Sequence, residues 1–157
     1  MYCEGAIYML VDLLNENTVR AWIEPEDWKE AGRAVGKLLV DMGSIEDEYI
    51  EGMLESVEKF GPYIVIVPGV ALFHSKSDEN VHRLCLALAT VKEGIPFGAG
   101  EKDPVRILFA FASPNKKAHL LMMRELMSIL KSDEMMQQII DAPTDDEILR
   151  VIKENFT

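Results

Sequence analysis

The chain has 157 residues, 48% of them hydrophobic, which is enough for a full core, and we expect one domain over residues 1–157. Its formal net charge of -11 argues against a nucleic-acid partner, because binding to a phosphate backbone needs clustered lysine and arginine. No apolar run approaches the roughly 20 residues that span a bilayer, and no basic leader opens the chain, so we expect a cytoplasmic protein.

Apolar residues at helical spacing predict three helices in the amino-terminal part, with a short β-prone piece after the first. Pro25 suits the first turn of the second helix, and Gly43 suits its end. The residues from Ser44 to Asp47 resemble a capping box that starts the third helix. The predicted helices cover residues 2–14, 25–43 and 44–60, and the β-prone piece covers residues 18–23.

Four apolar runs rich in valine, isoleucine and leucine follow, and they are typical of strands. A Pro68-Gly69 turn separates the first two. The last two are so continuously apolar that we expect central strands covered on both faces. The predicted strands cover residues 63–67, 70–73, 82–91 and 105–112, and residues 92–103 are predicted as a loop or hairpin.

Three more helices complete the chain. Ser132 and Thr144 are suited to N-cap positions, and the residues from Thr144 to Glu147 match a capping box. The predicted helices cover residues 116–131, 133–141 and 147–155. The alternation of helices and strands with short connections predicts an α/β layer fold.

The two cysteines, Cys3 and Cys85, are far apart and form no CxxC pattern. They therefore indicate neither a disulfide framework nor a zinc site. Cys85 falls within a predicted buried strand, and we expect it to pack as a small hydrophobic residue.

One histidine, His74, lies where an apolar strand meets a polar loop, in the segment GPYIVIVPGVALFHSK of residues 61–76. Its position alone leaves two interpretations open. It is either a residue at the edge of the core with a satisfied hydrogen bond, or a reactive histidine presented to solvent.

This segment resembles the active-site segment of the enzyme IIA components of the bacterial phosphoenolpyruvate:sugar phosphotransferase system. The resemblance extends to DWKEAGRAVGKLLVDMGSIEDEYIEGM at residues 27–53, and to DPVRILFAFA and AHLLMMRELMSIL within residues 103–130. It is closest to the mannitol/fructose-type fold and, within that, to the ascorbate-specific branch. It implies a mixed β-sheet of about five strands with helices on both faces.

The resemblance also implies a function. The protein is expected to act as a phosphocarrier that accepts phosphate from phospho-HPr on His74 and passes it to a cysteine of enzyme IIB, and through it serves a membrane enzyme IIC. The transported substrate is expected to be ascorbate or a related sugar acid or polyol. Neither a cofactor nor a metal is expected, and the surface near His74 is expected to be apolar with an acidic rim.

One residue departs from the family pattern. The family histidine usually follows proline, as in ALPHAR, whereas this chain reads ALFHSK with Phe73 in that place. Proline fixes its own φ and restricts the residue before it, so its loss removes a restraint on the loop. Phe73 is able to supply another restraint by burying its ring.

Several residues are candidates for the site. Histidine is mostly neutral at cellular pH, which suits His74 as the nucleophile. The resemblance assigns His119 as the second active-site histidine, a donor to the phosphoryl oxygens; the alternative is an exposed residue in the first helical turn. Ser75 and Ser113 are weaker candidates for hydroxyl donors, with capping as the alternative. Lys76 is a candidate for phosphate or a partner carboxylate, or else a solvated lysine.

The start of the same helix, from Asn115 to Ala118, offers backbone N–H groups and the positive end of the helix dipole, which favour an anion. His82 matches no family motif and is interpreted as structural or surface. Two other functions stay open: a regulatory protein of this fold controlled by phosphorylation of His74, and a binding module that is not phosphorylated.

Overall fold

The structure is a computed structural model that describes residues 9–75 and 79–156. Over those residues the chain forms a five-stranded sheet with helices on both faces, as expected. The strands are β1 (Val19–Arg20), β2 (Val65–Val67), β3 (Val70–Phe73), β4 (Cys85–Ile95) and β5 (Val105–Ala112). The helices are α1 (Met9–Leu13), α2 (Trp28–Asp41), α3 (Asp47–Phe60), α4 (Lys116–Leu130), α5 (Asp133–Asp141) and α6 (Asp145–Phe156), with a short 3-10 helix at Gly100–Lys102.

The strand order is β1-β4-β5-β3-β2. β4 pairs antiparallel with β5 and parallel with β1, while β3 pairs parallel with β5 and antiparallel with β2. The sheet is therefore mixed. The prediction that the two long apolar runs are central is confirmed, because β4 and β5 each have a neighbour on both sides.

Alternating residues of the central strands supply two cores. On one face Ala87, Ala89 and Ala110 lie under α2 and α3, and their small side chains let those helices approach the sheet closely. On the other face larger residues such as Leu88 and Phe109 pack against α1, α4, α5 and α6. Burial on both faces explains why these strands are apolar without a period of two.

The start of α2 differs from the prediction. The helix begins at Trp28 and not at Pro25, because the side chain of Asp27 accepts a hydrogen bond from the backbone N–H of Glu30 at 2.8 Å and caps the helix there. Its end agrees with the prediction, since Gly43 follows the last turn with a φ of 73°.

The predicted capping box at Ser44 is wrong. The N-cap of α3 is Glu46, and Ser44 is buried in a short antiparallel bridge between residues 44–46 and 80–82. Its carbonyl oxygen accepts a hydrogen bond from the backbone N–H of His82 at 2.9 Å, which a sequence pattern local to Ser44 does not reveal.

Other boundaries shift modestly. β2 begins at Val65 and lies at the edge of the sheet, where only Val65 is buried. β4 starts three residues later than predicted and continues to Ile95, into the predicted loop. Ser132 and Thr144 cap α5 and the first turn of α6 as predicted. The predicted first helix agrees with α1 from Met9, and its earlier residues and Cys3 lie outside the described residues.

None of the helices in the described ranges combines the length and apolar character needed to cross a membrane.

Candidate functional site

The carboxyl ends of two parallel strands bring the candidate residues together. β3 and β5 run side by side, with Phe73 opposite Ala110. The residues that follow are therefore neighbours, and the imidazole of His74 lies against the ring of Phe111, with ring centroids 5.8 Å apart and planes 18° apart. The chain after β5 then turns into α4, which carries His119 in its first turn.

A backbone contact fixes the tautomer of His74. Its Nδ1 lies 2.8 Å from the carbonyl oxygen of Leu72. A carbonyl oxygen only accepts hydrogen bonds, so Nδ1 carries the proton and donates it. In the neutral ring the lone pair is then on Nε2, which makes Nε2 the nucleophilic nitrogen.

The second candidate, His119, lies next to the first. Its ring centroid is 6.2 Å from that of His74 and 4.8 Å from that of Phe111. Burial, and in second place the nearby His74, lower the pKa of His119 below its usual value. His119 is therefore neutral at cellular pH, and one of its ring nitrogens carries a hydrogen that it is able to donate.

Phe73, the departure from the family pattern, is a fully buried core residue. Its ring packs against Phe97, with centroids 5.8 Å apart, on the face of the sheet covered by α2 and α3. The ring thus holds the end of β3 in the core directly before His74.

The three weaker candidates have different outcomes. The backbone of Ser75 is hydrogen-bonded to Tyr49, as described below. The buried hydroxyl of Ser113 donates to the carbonyl oxygen of Asn115 at 2.6 Å and also accepts from the Asn115 N–H, so binding phosphate requires that turn to rearrange. Lys76 lies outside the described residues. All three phosphate-binding roles stay predictions.

The N–H groups expected to be free at the start of α4 are partly used. The side chain of Asn115 accepts from the N–H of Ala118 at 2.8 Å and caps the helix. Together with the bond from the Asn115 N–H to Ser113, this removes two of the donors that the sequence suggested for an anion.

Sequence reasoning missed Tyr49. This α3 residue is 2% exposed, and its hydroxyl oxygen accepts a hydrogen bond from the Ser75 N–H at 3.0 Å. The same oxygen lies 3.0 Å from the carbonyl oxygen of Ser75 and 3.4 Å from that of Phe111. At helical spacing a tyrosine is indistinguishable from any other core aromatic residue, so no local signal reveals these partners.

The surface around the two histidines is apolar, but its rim is not uniformly acidic as expected. Tyr63 lies edge-on to His74 with centroids 6.4 Å apart, and Leu120 beside His119 is 59% exposed. The exposed residues of α4 include Lys116, in the same helical turn as His119, and also Lys117 and Arg124, so the surface of this helix is basic despite the overall negative charge.

Two other chemistries gain no support from the described part of the chain. It contains no group of three or more histidine, cysteine, aspartate or glutamate residues able to hold a metal ion. Cys85 is buried, and burial raises the pKa of its thiol to about 12, so it is not a thiolate nucleophile. The expectation that Cys85 packs as a small hydrophobic residue is confirmed.

Comparison with known proteins identifies the family. Residues 12–155 match the family model described as phosphoenolpyruvate-dependent sugar phosphotransferase system, EIIA 2. The chain is 32% identical over 145 residues to the ascorbate-specific PTS system EIIA component of Escherichia coli K12, covering 91% of this chain and 94% of that protein.

Solved structures share the fold. The crystal structure of a putative PTS IIA from Streptococcus mutans superposes with a TM-score of 0.83 at 28% identity, covering 91% of this chain and 92% of that one. The enzyme IIA in the complex of mannitol IIA with phosphorylated enzyme IIB from Escherichia coli gives 0.79 at 23% identity, covering 90% and 97%.

Proposed function

The chain belongs to the EIIA 2 family of the phosphoenolpyruvate-dependent sugar phosphotransferase system, and we propose that it carries a phosphoryl group on His74. In this proposal the whole chain acts as one enzyme IIA domain in the cytoplasm. It accepts the group from phospho-HPr and passes it to a cysteine of enzyme IIB, which serves a membrane enzyme IIC.

The contact between Nδ1 of His74 and the Leu72 carbonyl oxygen carries the proposal. Nε2 uses its lone pair to form a bond to phosphorus, while the bond from phosphorus to the histidine nitrogen of HPr breaks and that nitrogen recovers its electron pair. Nδ1 keeps its proton throughout. In the second transfer a thiolate of enzyme IIB attacks phosphorus, the bond from phosphorus to Nε2 breaks, and Nε2 regains its lone pair.

The surroundings of His74 suit a loose transition state, in which the protein mainly positions the groups and donates hydrogen bonds to the phosphoryl oxygens. The ring centroid of His119 is 6.2 Å from that of His74, so His119 is close enough to contact a phosphoryl group on Nε2 of His74. His119 starts neutral, so its ring N–H is able to donate a hydrogen bond to a phosphoryl oxygen. The negative charge of the bound phosphoryl group then favours protonation of His119.

Two features support transient partners. The apolar side chains of Tyr63 and Leu120 flank the histidines, and α4, which carries His119, also exposes basic residues. A relative of the same fold is solved in complex with phosphorylated enzyme IIB. The proposed substrate, ascorbate or a related sugar acid or polyol, rests on the similarity to the ascorbate-specific component of Escherichia coli.

The experiment is intact-mass spectrometry after incubation with phosphoenolpyruvate, enzyme I and HPr. We expect one acid-labile phosphoryl adduct on wild type, none on His74→Ala and slower transfer in His119→Ala, by roughly 10²-fold to 10³-fold for loss of one donor. His82→Ala is the matched control, because His82 pairs with Glu46 away from the rings described above. Absence of an adduct on wild type overturns the proposal and leaves a binding module.

A further inference from the structure

We propose that Tyr49 is a positioning residue for phosphoryl transfer. Its buried hydroxyl connects the chain after His74 to α3 and to β5, the strand whose Phe111 stacks on the imidazole. This inference rests on the proposed function of His74 and adds a residue to it. Tyr49 touches neither the phosphoryl group nor the imidazole in this proposal, and acts only through the backbone.

The hydroxyl lies between two backbone segments of the site. It accepts a hydrogen bond from the N–H of Ser75 at 3.0 Å, and its hydrogen is shared between the carbonyl oxygens of Ser75 at 3.0 Å and Phe111 at 3.4 Å. Ser75 directly follows His74, and the ring of Phe111 stacks on the imidazole of His74. One oxygen atom therefore fixes the distance between the backbone that carries His74 and the backbone that carries its stacking partner.

Packing alone does not account for the hydroxyl. Tyr49 is 2% exposed within the core between the sheet and α3, where a phenylalanine fills nearly the same space. Burying a hydroxyl costs free energy unless it finds a partner. Here the carbonyl partners belong to Ser75, next to His74, and to Phe111, whose ring stacks on His74. They lie 26 and 62 positions away from Tyr49 along the chain.

The consequence concerns the orientation of His74. Its Nδ1 bonds to the carbonyl oxygen of Leu72 only for a restricted set of ring torsions, and those torsions depend on where the backbone on both sides of His74 lies. On one side Phe73 is locked in the core, and on the other side Tyr49 holds Ser75. Without the hydroxyl the ring gains freedom, and Nε2 spends less time in the geometry for attack.

The test is Tyr49→Phe, which keeps every carbon of the side chain and removes the hydroxyl. The matched control is Thr90→Val, because Thr90 is also fully buried and its hydroxyl accepts from the backbone N–H of Trp22 at 2.8 Å, in the middle of β4. Denaturant unfolding of both variants establishes that they fold and gives the loss of stability caused by removing a buried hydroxyl.

Two readouts separate positioning from stability. In transfer from phospho-HPr we expect Tyr49→Phe to lower kcat about 10-fold to 100-fold with KM unchanged, while Thr90→Val keeps wild-type kinetics. In unphosphorylated protein labelled with ¹⁵N-histidine, we expect the two ring nitrogens of His74 to move towards a common chemical shift in Tyr49→Phe only, because the Nδ1–H tautomer loses its preference.

The outcomes are distinct. Wild-type kcat and unchanged His74 shifts in Tyr49→Phe overturn the inference, as does an equal loss of kcat in both variants. If wild type accepts no phosphate, the proposed function fails, and the ring shifts of His74 still decide whether Tyr49 orients the imidazole. Converging shifts in Tyr49→Phe alone then support that orienting role, and unchanged shifts overturn it.

Discussion

Gly32 and Phe73 lie so close that no side chain fits between them. A Cβ atom at Gly32 would stand 2.8 Å from Cε1 of the Phe73 ring and 2.8 Å from a methyl carbon of Leu54. The backbone of α2 therefore rests on the ring that replaces the family proline. Because His74 is the next residue, the packing of α2 on Phe73 helps to fix the position of the proposed nucleophile.

Replacing Gly32 with alanine tests this contact. We expect Gly32→Ala to lower the free energy of unfolding by about 1–3 kcal/mol, because the added methyl group overpacks the core. Gly52→Ala in α3 is the control, since nothing lies within 4 Å of its added Cβ, and we expect a gain of about 0.5–1 kcal/mol from helix propensity. Urea unfolding measures both, and a gain in Gly32→Ala contradicts the contact.

We expect the pKa of His119 to lie below that of a free histidine, because burial and His74 both disfavour its charged form. NMR titration of the ring measures it. In His74→Ala we expect the pKa of His119 to rise only part of the way towards its usual value, because burial is the larger cause. Full recovery in His74→Ala contradicts that order of causes.

The same shift makes stability depend on pH. Between the lowered pKa of His119 and about 6.5, the unfolded chain binds more protons than the folded one, so stability falls as the pH falls through this window. We expect wild type to lose more unfolding free energy than His119→Gln between pH 7 and pH 5. Equal losses in paired denaturation curves exclude this linkage.

The exposed leucine beside His119 is expected to matter for docking. Leu120→Ser removes an apolar side chain that is 59% exposed, so we expect unchanged stability and a KM for phospho-HPr or enzyme IIB raised about 10-fold. Met127, also exposed, lies two turns further along α4, or about 10 Å, and serves as the control. Met127→Ser is expected to raise KM far less, and an equal rise refutes a surface centred on the histidines.

Cys85 is expected to be inert in the folded protein, because burial raises the pKa of its thiol to about 12. Alkylation with iodoacetamide at pH 8 followed by peptide mapping is expected to modify Cys85 only after unfolding. Cys85→Ala is expected to accept phosphate as wild type does. Rapid alkylation of Cys85 in the native protein is the result that contradicts its burial.

Local patterns sufficed where the structure depends on neighbours in sequence. β5 occupies the predicted residues 105–112, and Ser132 caps α5 as predicted, because strand apolarity and capping are local properties. The pairing of His74 with His119 came from the family resemblance, since no spacing predicts that two residues on different elements meet. The hydrogen bonds of Ser44 and Tyr49 could not be predicted, because their partners lie 38 and 26 positions away along the chain.

In the proposed function, His74 carries the phosphoryl group on Nε2 while Nδ1 stays bonded to the Leu72 carbonyl oxygen. NMR of the phosphorylated, ¹⁵N-histidine-labelled protein tests it directly through the coupling between phosphorus and nitrogen. We expect coupling to Nε2 of His74 and a proton on Nδ1. Coupling to Nδ1, coupling to His82 or His119, or the absence of any phosphohistidine contradicts it.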